Sequence, residues 1–336
     1  MVTSTFTTPF RSNPNWYGKF QPSSEIKRAI AVLHRLDNWH GILQVMEDWL
    51  LIFGSIFISL SAWHYLPSAI AWMVYFLAIL IIGGRMRGLR VNNHQGTHHA
   101  LAKNKHLNYL LAAPLGSWLV LESFSGYDDT HNSKNHGHHH QLGTEKDVDH
   151  RAVVAQGLYD VSCTTNTVKR FLLTLPLQTL SYLRFLIQNR IWNPQENPVE
   201  RIARLTMLTV ILSSIVALGW GQELVLYWFI PLLTTANWLG SVIQLAEHYP
   251  LMKMDYPLDI YYSRNRLLNP LWNIIIGVHS DGYHQIHHLY PCLPFWNMKK
   301  AHHILLQDEL YASLNQEKGI LAMFKQVIGL NQVCQS

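Results

Sequence analysis

Residues 49–90 read WLLIFGSIFISLSAWHYLPSAIAWMVYFLAILIIGGRMRGLR. From Trp49 to Gly83 the run is almost continuously apolar and is broken only around Pro67. About twenty apolar residues cross a bilayer as a helix, so the stretch holds two spans, 45–63 and 66–84, joined by a short turn. That turn carries no Lys or Arg, whereas Arg85, Arg87 and Arg90 follow the second span. Lys and Arg accumulate on the cytoplasmic side, which predicts an external turn and two cytoplasmic ends.

The pattern recurs at 205–219 and 223–246 around GWGQE, with Arg201 and Arg204 before the pair and Lys253 after it. A second hairpin of the same orientation is expected. Two weaker apolar stretches remain. LNYLLAAPLGSWLVLESF (107–124) is interrupted by Pro114 and Gly116, and 168–192 contains Lys169, Arg170, Pro176, Arg184 and Arg190. The charges in the second argue for an interfacial helix. The first is expected to be re-entrant or superficial, because a single crossing would place the histidines on either side of it in opposite compartments.

The expected fold is therefore all-α and integral to the membrane. Four transmembrane helices in two hairpins lie under a helical cytosolic cap, with both termini on the cytoplasmic side. The organisation divides into a polar arm with an amphipathic helix (1–44), a membrane domain (45–310) and a cytosolic tail (311–336). Within the arm, Ile26, Ala29, Ile30, Leu33 and Leu36 share one helical face, with Ser23 or Ser24 as the cap.

Composition agrees. Of 336 residues 49% are hydrophobic and only 14% charged, against about 25% charged in soluble domains. Twelve Trp and fifteen Tyr suit membrane interfaces. A formal charge of +5 fits an anionic lipid surface, and no motif points to nucleic acid. Cys163, Cys292 and Cys334 lie far apart without a CxxC pair, which gives neither a disulfide framework nor a zinc knuckle. The first thirty residues lack the apolar core of a cleavable signal peptide.

Twenty histidines nearly match 21 acidic residues, and they fall in groups. HQGTHH holds His94, His98 and His99. HNSKNHGHHHQLGTEKD (131–147) holds the HxxHH set His136, His139 and His140. AEHYP places a lone His248 one turn after Gln244. GYHQIHHLYP holds a second HxxHH, His284, His287 and His288, with His279 nearby. On a helix, residues at i, i+3 and i+4 point the same way. One such set is an ordinary solvated run, but four groups, each following an apolar segment, make a metal site.

Imidazole suits zinc, copper, iron and nickel. Zinc takes four protein ligands, or three and a water. Nine nitrogens exceed one ion and suit two, and a redox pair is what dioxygen chemistry requires; iron is the expected metal. The spans carry almost no ionisable groups, unlike those of a transporter, so a zinc transporter with a histidine-rich loop is a remote alternative. No HExxH occurs, which removes the metalloprotease reading.

The boxes resemble those of the membrane fatty-acid desaturase/hydroxylase superfamily: HxxxH or HxxxxH, then HxxHH, then a second HxxHH. The resemblance extends to RMRGLRVNNHQGTHHALAKNKHLNYLL, HHHQLGTEKDVD, AEHYP and GYHQIHHLYPCLPFWNMKKAH. It covers about residues 45–305, and the third box is its most specific piece. It implies a mushroom-like fold with two Fe2+ ions between spans and cap, and dioxygen as co-substrate. Carried over by motif, the metal ligands are His94, His98, His136, His139, His140, His248, His284, His287 and His288. It implies a desaturase acting on a long acyl chain, fed by ferredoxin or a similar separate donor, since no His-Pro-Gly-Gly stretch marks a fused haem domain. A hydroxylase or ketolase acting on a carotenoid, sterol or alkane shares these boxes.

The chain departs from the family pattern in several places. His99 gives the first box an alternative HxxxxH spacing, although His98 lies nearer the face of His94. Spacing selects His136, His139 and His140 for the second box, whereas alignment on Leu142-Gly143 selects His138 and His139 and leaves Asn135 in first place. The family's Asp-Pro-Asp reads Asp147-Val148-Asp149, and Gln244 replaces its usual Asn. Asp128, Asp129, Glu145, Asp147, Asp149 and Glu247 are candidates to accept the second N–H of a ligating imidazole. His131 and His279 stand between box and background. His34, His40, His64, His106, His150, His302 and His303 read as surface or packing residues.

Overall fold

A computed structural model describes residues 9–135, 137–159, 165–316 and 318–333. Cys163 and Cys334 lie outside them, and Cys292 is a free, exposed thiol. Ser23 caps the first helix, α1 (Ser24–Val32), by accepting the Ile26 amide at 3.3 Å. Ile26 and Ile30, one turn apart, are buried. Next come α2 (His40–Tyr65) and α3 (Ser68–Thr97), parted at Leu66-Pro67. Proline at the start of a helix has a preset φ and needs no N–H partner there, so it ends one helix and opens the next.

The side chains that α2 and α3 expose are mostly apolar, among them Leu50, Phe53, Phe57, Ile58, Met73 and Phe76, while Asp48, Ser55, Ser59, Arg85 and Arg87 are buried. This inverts the usual soluble arrangement, and a bilayer supplies the missing cover. The 30 residues of α3 make it about 45 Å long, well beyond the ~30 Å of hydrocarbon. Its last turns therefore extend past the apolar layer and carry Arg85, Arg87, Arg90 and His94.

Short elements fill the next hundred residues: α4 (Lys105–Ala112), α5 (Phe124–Asn132), α6 (His138–Gln141), α7 (Val148–Val154), α8 (Thr165–Thr174) and α9 (Thr179–Leu186). The stretch 107–124 forms α4 and a 3-10 turn at Ser117–Val120 rather than a long helix. The stretch 168–192 breaks at Leu175–Leu177, beside Pro176.

Among the described residues three helical segments are long and apolar enough to cross a membrane: His40–Tyr65, Ser68–Thr97 and Gly221–Lys253. The span expected at 205–219 falls in α10 (Pro198–Ala217). The first two turns of α10 carry Glu200, Arg201 and Arg204, which leaves only some three and a half turns uncharged. The third segment begins as α11 (Gly221–Leu224), passes through π turns at Val225–Phe229 and Leu232–Ala236, and ends as α12 (Asn237–His248). Pro231 sits between the two π turns, where a residue without an N–H forces the ladder to readjust.

The remaining helices are α13 (Pro270–Asn273), α14 (His284–Leu289), α15 (Phe295–Leu305), α16 (Glu309–Leu314) and α17 (Ile320–Val333). Ile26, Ile30, Val278, Ile286, Phe295 and Met298 pack into one core over the end of α3. The described residues hold no strand. Isolated bridges at Arg11–Thr144 and Gly18–Leu258 tie the N-terminal arm across the histidine-bearing loops.

Candidate metal centre

Five elements, α3, α5, α6, α12 and α14, meet at one place. α3 stops at Thr97, with His98 as its C-cap, so His94 and His98 keep their one-turn spacing. His99 adopts a left-handed φ of 55° and is exposed. Between the two rings, Gly96 faces Ala112, where a Cβ would collide, and α4 packs against the turn that bears them. α5 is fixed at its start by Glu200, which accepts from the Phe124 amide at 2.6 Å, the Ser125 amide at 2.9 Å and the Trp118 indole at 2.9 Å. At its other end it buries His131. α6 is a single turn beginning at His138, α12 closes on His248, and α14 carries His284, His287 and His288.

The ring nitrogens meet in two groups. In the first, ligand atoms of His94, His98, His131, His139 and His287 all lie within 4.8 Å of one another. His94 Nε2 is 2.8 Å and His139 Nε2 is 3.0 Å from His287 Nε2. In the second, His248 Nε2 lies 2.8 Å from His284 Nε2 and 3.4 Å from His138 Nε2, and His288 Nε2 is 3.1 Å from His284 Nε2. His139 and His288 link the groups, with ring centroids 4.7 Å apart.

These separations fit a shared cation. At a metal–nitrogen distance of about 2.1 Å, neighbouring ligands on one ion stand about 3.0–3.4 Å apart. A neutral imidazole has one donor and one acceptor, so His287 Nε2 cannot satisfy both of its neighbours as an ordinary hydrogen-bond partner. His98 Nε2, both nitrogens of His131 and His287 Nδ1 are buried without any hydrogen bond. Burial pushes His131, His139, His284, His287 and His288 well below the ordinary imidazole value and His98 to about 4. Their lone pairs are therefore free at neutral pH.

Behind the rings stand partners that fix their tautomers. His138 Nδ1 donates to both oxygens of Asp147 at 3.0 Å. Burial alone would lower His138, but the Asp147 carboxylate overrides it and lifts the ring to about 9, so a metal at Nε2 would have to displace the proton held there while Nδ1–H stays on Asp147. Asp147 also accepts from the amides of Gly143, Asp149 and His150, so it caps α7 while it holds a ring. His248 Nδ1 donates to the Tyr262 carbonyl at 2.9 Å. His284 Nδ1 lies 3.5 Å from Glu247 Oε1, which Arg266 grips at 2.7 and 2.9 Å. Arg266 reaches Asp281 at 3.1 Å, and Asp281 also pairs with Arg87 of α3.

Of the residues singled out by spacing, His94, His98, His139, His248, His284, His287 and His288 come together. His140 is exposed, and His136 lies outside the described residues. His138 and His131 enter instead. His131 lies seven and eight residues before the doublet; α5 ends at Asn132 and α6 begins at His138, so the two do not form the single helix that the HxxHH spacing assumes. The seven-residue spacing of His131 and His138 was the available signal. Gln244 donates to the Asp149 carbonyl at 3.3 Å. His279 donates through Nε2 to buried Asp48 at 2.8 Å, which ties the loop before α14 to α2.

A family model described as fatty acid desaturase matches residues 70–316. The chain belongs to the fatty acid desaturase family. It is an oxidoreductase of that family, with histidine clusters compatible with a di-iron site. It is 33% identical over 312 residues to a protein of Bradyrhizobium elkanii named dihydrorhizobitoxine desaturase, covering 89% of this chain and 84% of that one. It is 26% identical over 289 residues to the chloroplastic sn-2 acyl-lipid omega-3 desaturase (ferredoxin) of Helianthus annuus, covering 79% of this chain and 61% of the relative. A further relative, at 25% over 311 residues, is the acyl-lipid (9+3)-(E)-desaturase of Dimorphotheca sinuata, covering 83% of this chain and 78% of that one. The chain thus spans about three fifths of the chloroplastic relative's length. Desaturation is the activity these names share; the substrate is not.

Proposed function

We propose that this chain is a membrane di-iron desaturase. It removes two hydrogens from adjacent carbons of an aliphatic chain, with long acyl chains such as those named for the plant relatives as the reference substrate. The balance is one –CH2–CH2– unit, O2, two electrons and two protons giving one –CH=CH– unit and two waters. The electrons come from a separate donor of the ferredoxin kind. The observation that carries this reading is the meeting of nine imidazoles in two touching groups within a fatty acid desaturase family chain.

One iron belongs with His94, His98, His131, His139 and His287, and the other with His138, His248, His284 and His288; His136 and His140 are outside this set. Bound there, the irons would supply the oxidising power drawn from dioxygen that an unactivated C–H bond demands. The protein's own contribution is positional. Asp147, Glu247 and the Tyr262 carbonyl hold ring orientation, which is how outer partners tune metal affinity. α10 supplies the fourth span beside Gly221–Lys253, which completes two hairpins beneath a cap on the cytoplasmic side.

The test is lipid and metabolite mass spectrometry of a host expressing the chain with a ferredoxin system, beside His287→Ala. A product two hydrogens lighter, present only with the wild type, supports the desaturase. A product one oxygen heavier moves the assignment to a hydroxylase.

A further inference from the structure

An open cavity of about 530 Å³ leads from the surface to the histidine groups. Its wall includes His98 and His139 of the first group and His288 of the second, so it opens where the two groups touch. The volume falls in the range of small-molecule sites. Leu289, Tyr290 and Pro291, which follow the third box, line it further out. The N-terminal arm adds Lys19 and Phe20, and α1 adds Lys27. These three residues precede the stretch 70–316 that the family model matches, and the reaction as described gives them no task.

The arm is fixed well enough to serve as a wall. The Gly18 amide donates to the Pro257 carbonyl at 2.8 Å, and the Asp259 amide donates to the Gly18 carbonyl at 2.9 Å. The Phe20 amide donates to Asp259 Oδ1 at 2.7 Å, and its ring packs in one core with Ile26, Ile30 and Ile286. Lys19 and Lys27 stay exposed. Lys19 pairs with Asp259 Oδ2 at 3.3 Å, whereas Lys27 bonds the neutral Gln21 side chain at 2.6 Å. Asp259 is the one carboxylate among the described residues of this wall, so two ammoniums leave a positive charge over at the entrance. From the exposed end inward, the wall passes from ammonium through apolar surface to imidazole. That order suits an amphiphile with a negative head and one aliphatic tail. The charged rim also places the entrance in water, because stripping such groups of water for a hydrocarbon is costly.

We propose that the substrate enters through this cavity from the aqueous side, as a single-chain amphiphile whose carboxylate or phosphate head stays between Lys19 and Lys27 while its carbons pass to the rings. The inference rests on the desaturase reading and adds to it the head charge and the route. It also sets a reference point. With the head held, the number of carbons between head and rings is fixed, so the double bond is counted from the head end.

A matched set of eight-carbon probes reads the head: octanoate and octyl phosphate are negative, 1-octanol is neutral and octylamine is positive. Titration calorimetry uses the full-length, iron-loaded protein in uncharged detergent. Both anions bind about tenfold tighter than 1-octanol, and octylamine binds most weakly. The tighter of the two anions tells a phosphate-bearing carrier from a free acid. Lys19→Gln and Lys27→Gln each cost the anions about two- to fivefold, the range of exposed ion pairs. The double variant costs about tenfold, and 1-octanol is unaffected throughout. Lys105→Gln, at an exposed lysine outside the cavity wall, changes none of the affinities. All three lysines are exposed, so the variants fold. Anions that bind no tighter than 1-octanol, or lysine variants without effect on them, overturn the proposal. So does a double bond whose distance from the head changes along a series of fatty acids of increasing length. If bilayer glycerolipids lose hydrogen while neither anion binds, the entry site fails and the desaturase stands. If the anions bind as described and no chain loses hydrogen, the site stands and the desaturase reading fails.

Discussion

His138 stands between Asp147 and His248, its Nδ1 3.0 Å from both carboxylate oxygens and its Nε2 3.4 Å from the neighbouring ring. One side chain thus couples the loop after α6 to the end of α12. Asp147→Asn keeps a capping oxygen for α7 but loses the charge on His138. Partners of this kind change metal affinity by about 10–100-fold. Iron content after graded chelator treatment should fall accordingly, with one iron leaving before the other. Asp147→Ala should cost about 1 kcal/mol more through the lost cap, seen as a lower melting temperature.

Close helix packing gives a second expectation. A Cβ on Gly84 would stand 2.7–3.2 Å from the Ile275 backbone, whereas one on Gly54 would meet nothing within 4 Å. Gly84→Ala must displace the chain leading to α14 and should cost about 1–3 kcal/mol. Gly54→Ala should be neutral or stabilising by up to about 1 kcal/mol. Thermal melting of both variants in detergent checks the contrast, and equal effects would contradict it.

Arg204 and Glu196 are both fully buried and paired at 2.7 and 2.8 Å. Removing one partner strands a charge, so Glu196→Ala should destabilise by about 3–5 kcal/mol. The double variant Glu196→Leu with Arg204→Met should lose far less, because it removes both charges together. A double-mutant cycle in denaturant measures the difference.

The first hairpin was legible because 35 nearly unbroken apolar residues leave little alternative, and Pro67 marks the turn. Between 205 and 246 only Gly221–Lys253 among the described residues is long and apolar enough to cross: Glu200, Arg201 and Arg204 occupy the start of α10, where they hold α5 and Glu196. The first and third boxes sit on helices, α3 and α14, where spacing translates directly into direction. The second box does not. Its rings come from the end of α5 and the single turn of α6, so an i, i+3, i+4 rule selects His140, which is exposed, and passes over His131, which is buried. The acidic partners were visible as candidates, but only folding distinguishes Asp147, which holds His138, from Asp149, whose carboxylate has no described donor.

The most direct test of the central claim is the metal content of the purified wild-type protein, by elemental analysis with Mössbauer spectroscopy. The account predicts two irons per chain in two nitrogen-rich environments. His98→Ala should perturb one of them and His248→Ala the other. A single zinc per chain, or two irons whose signatures both variants leave unchanged, would contradict it.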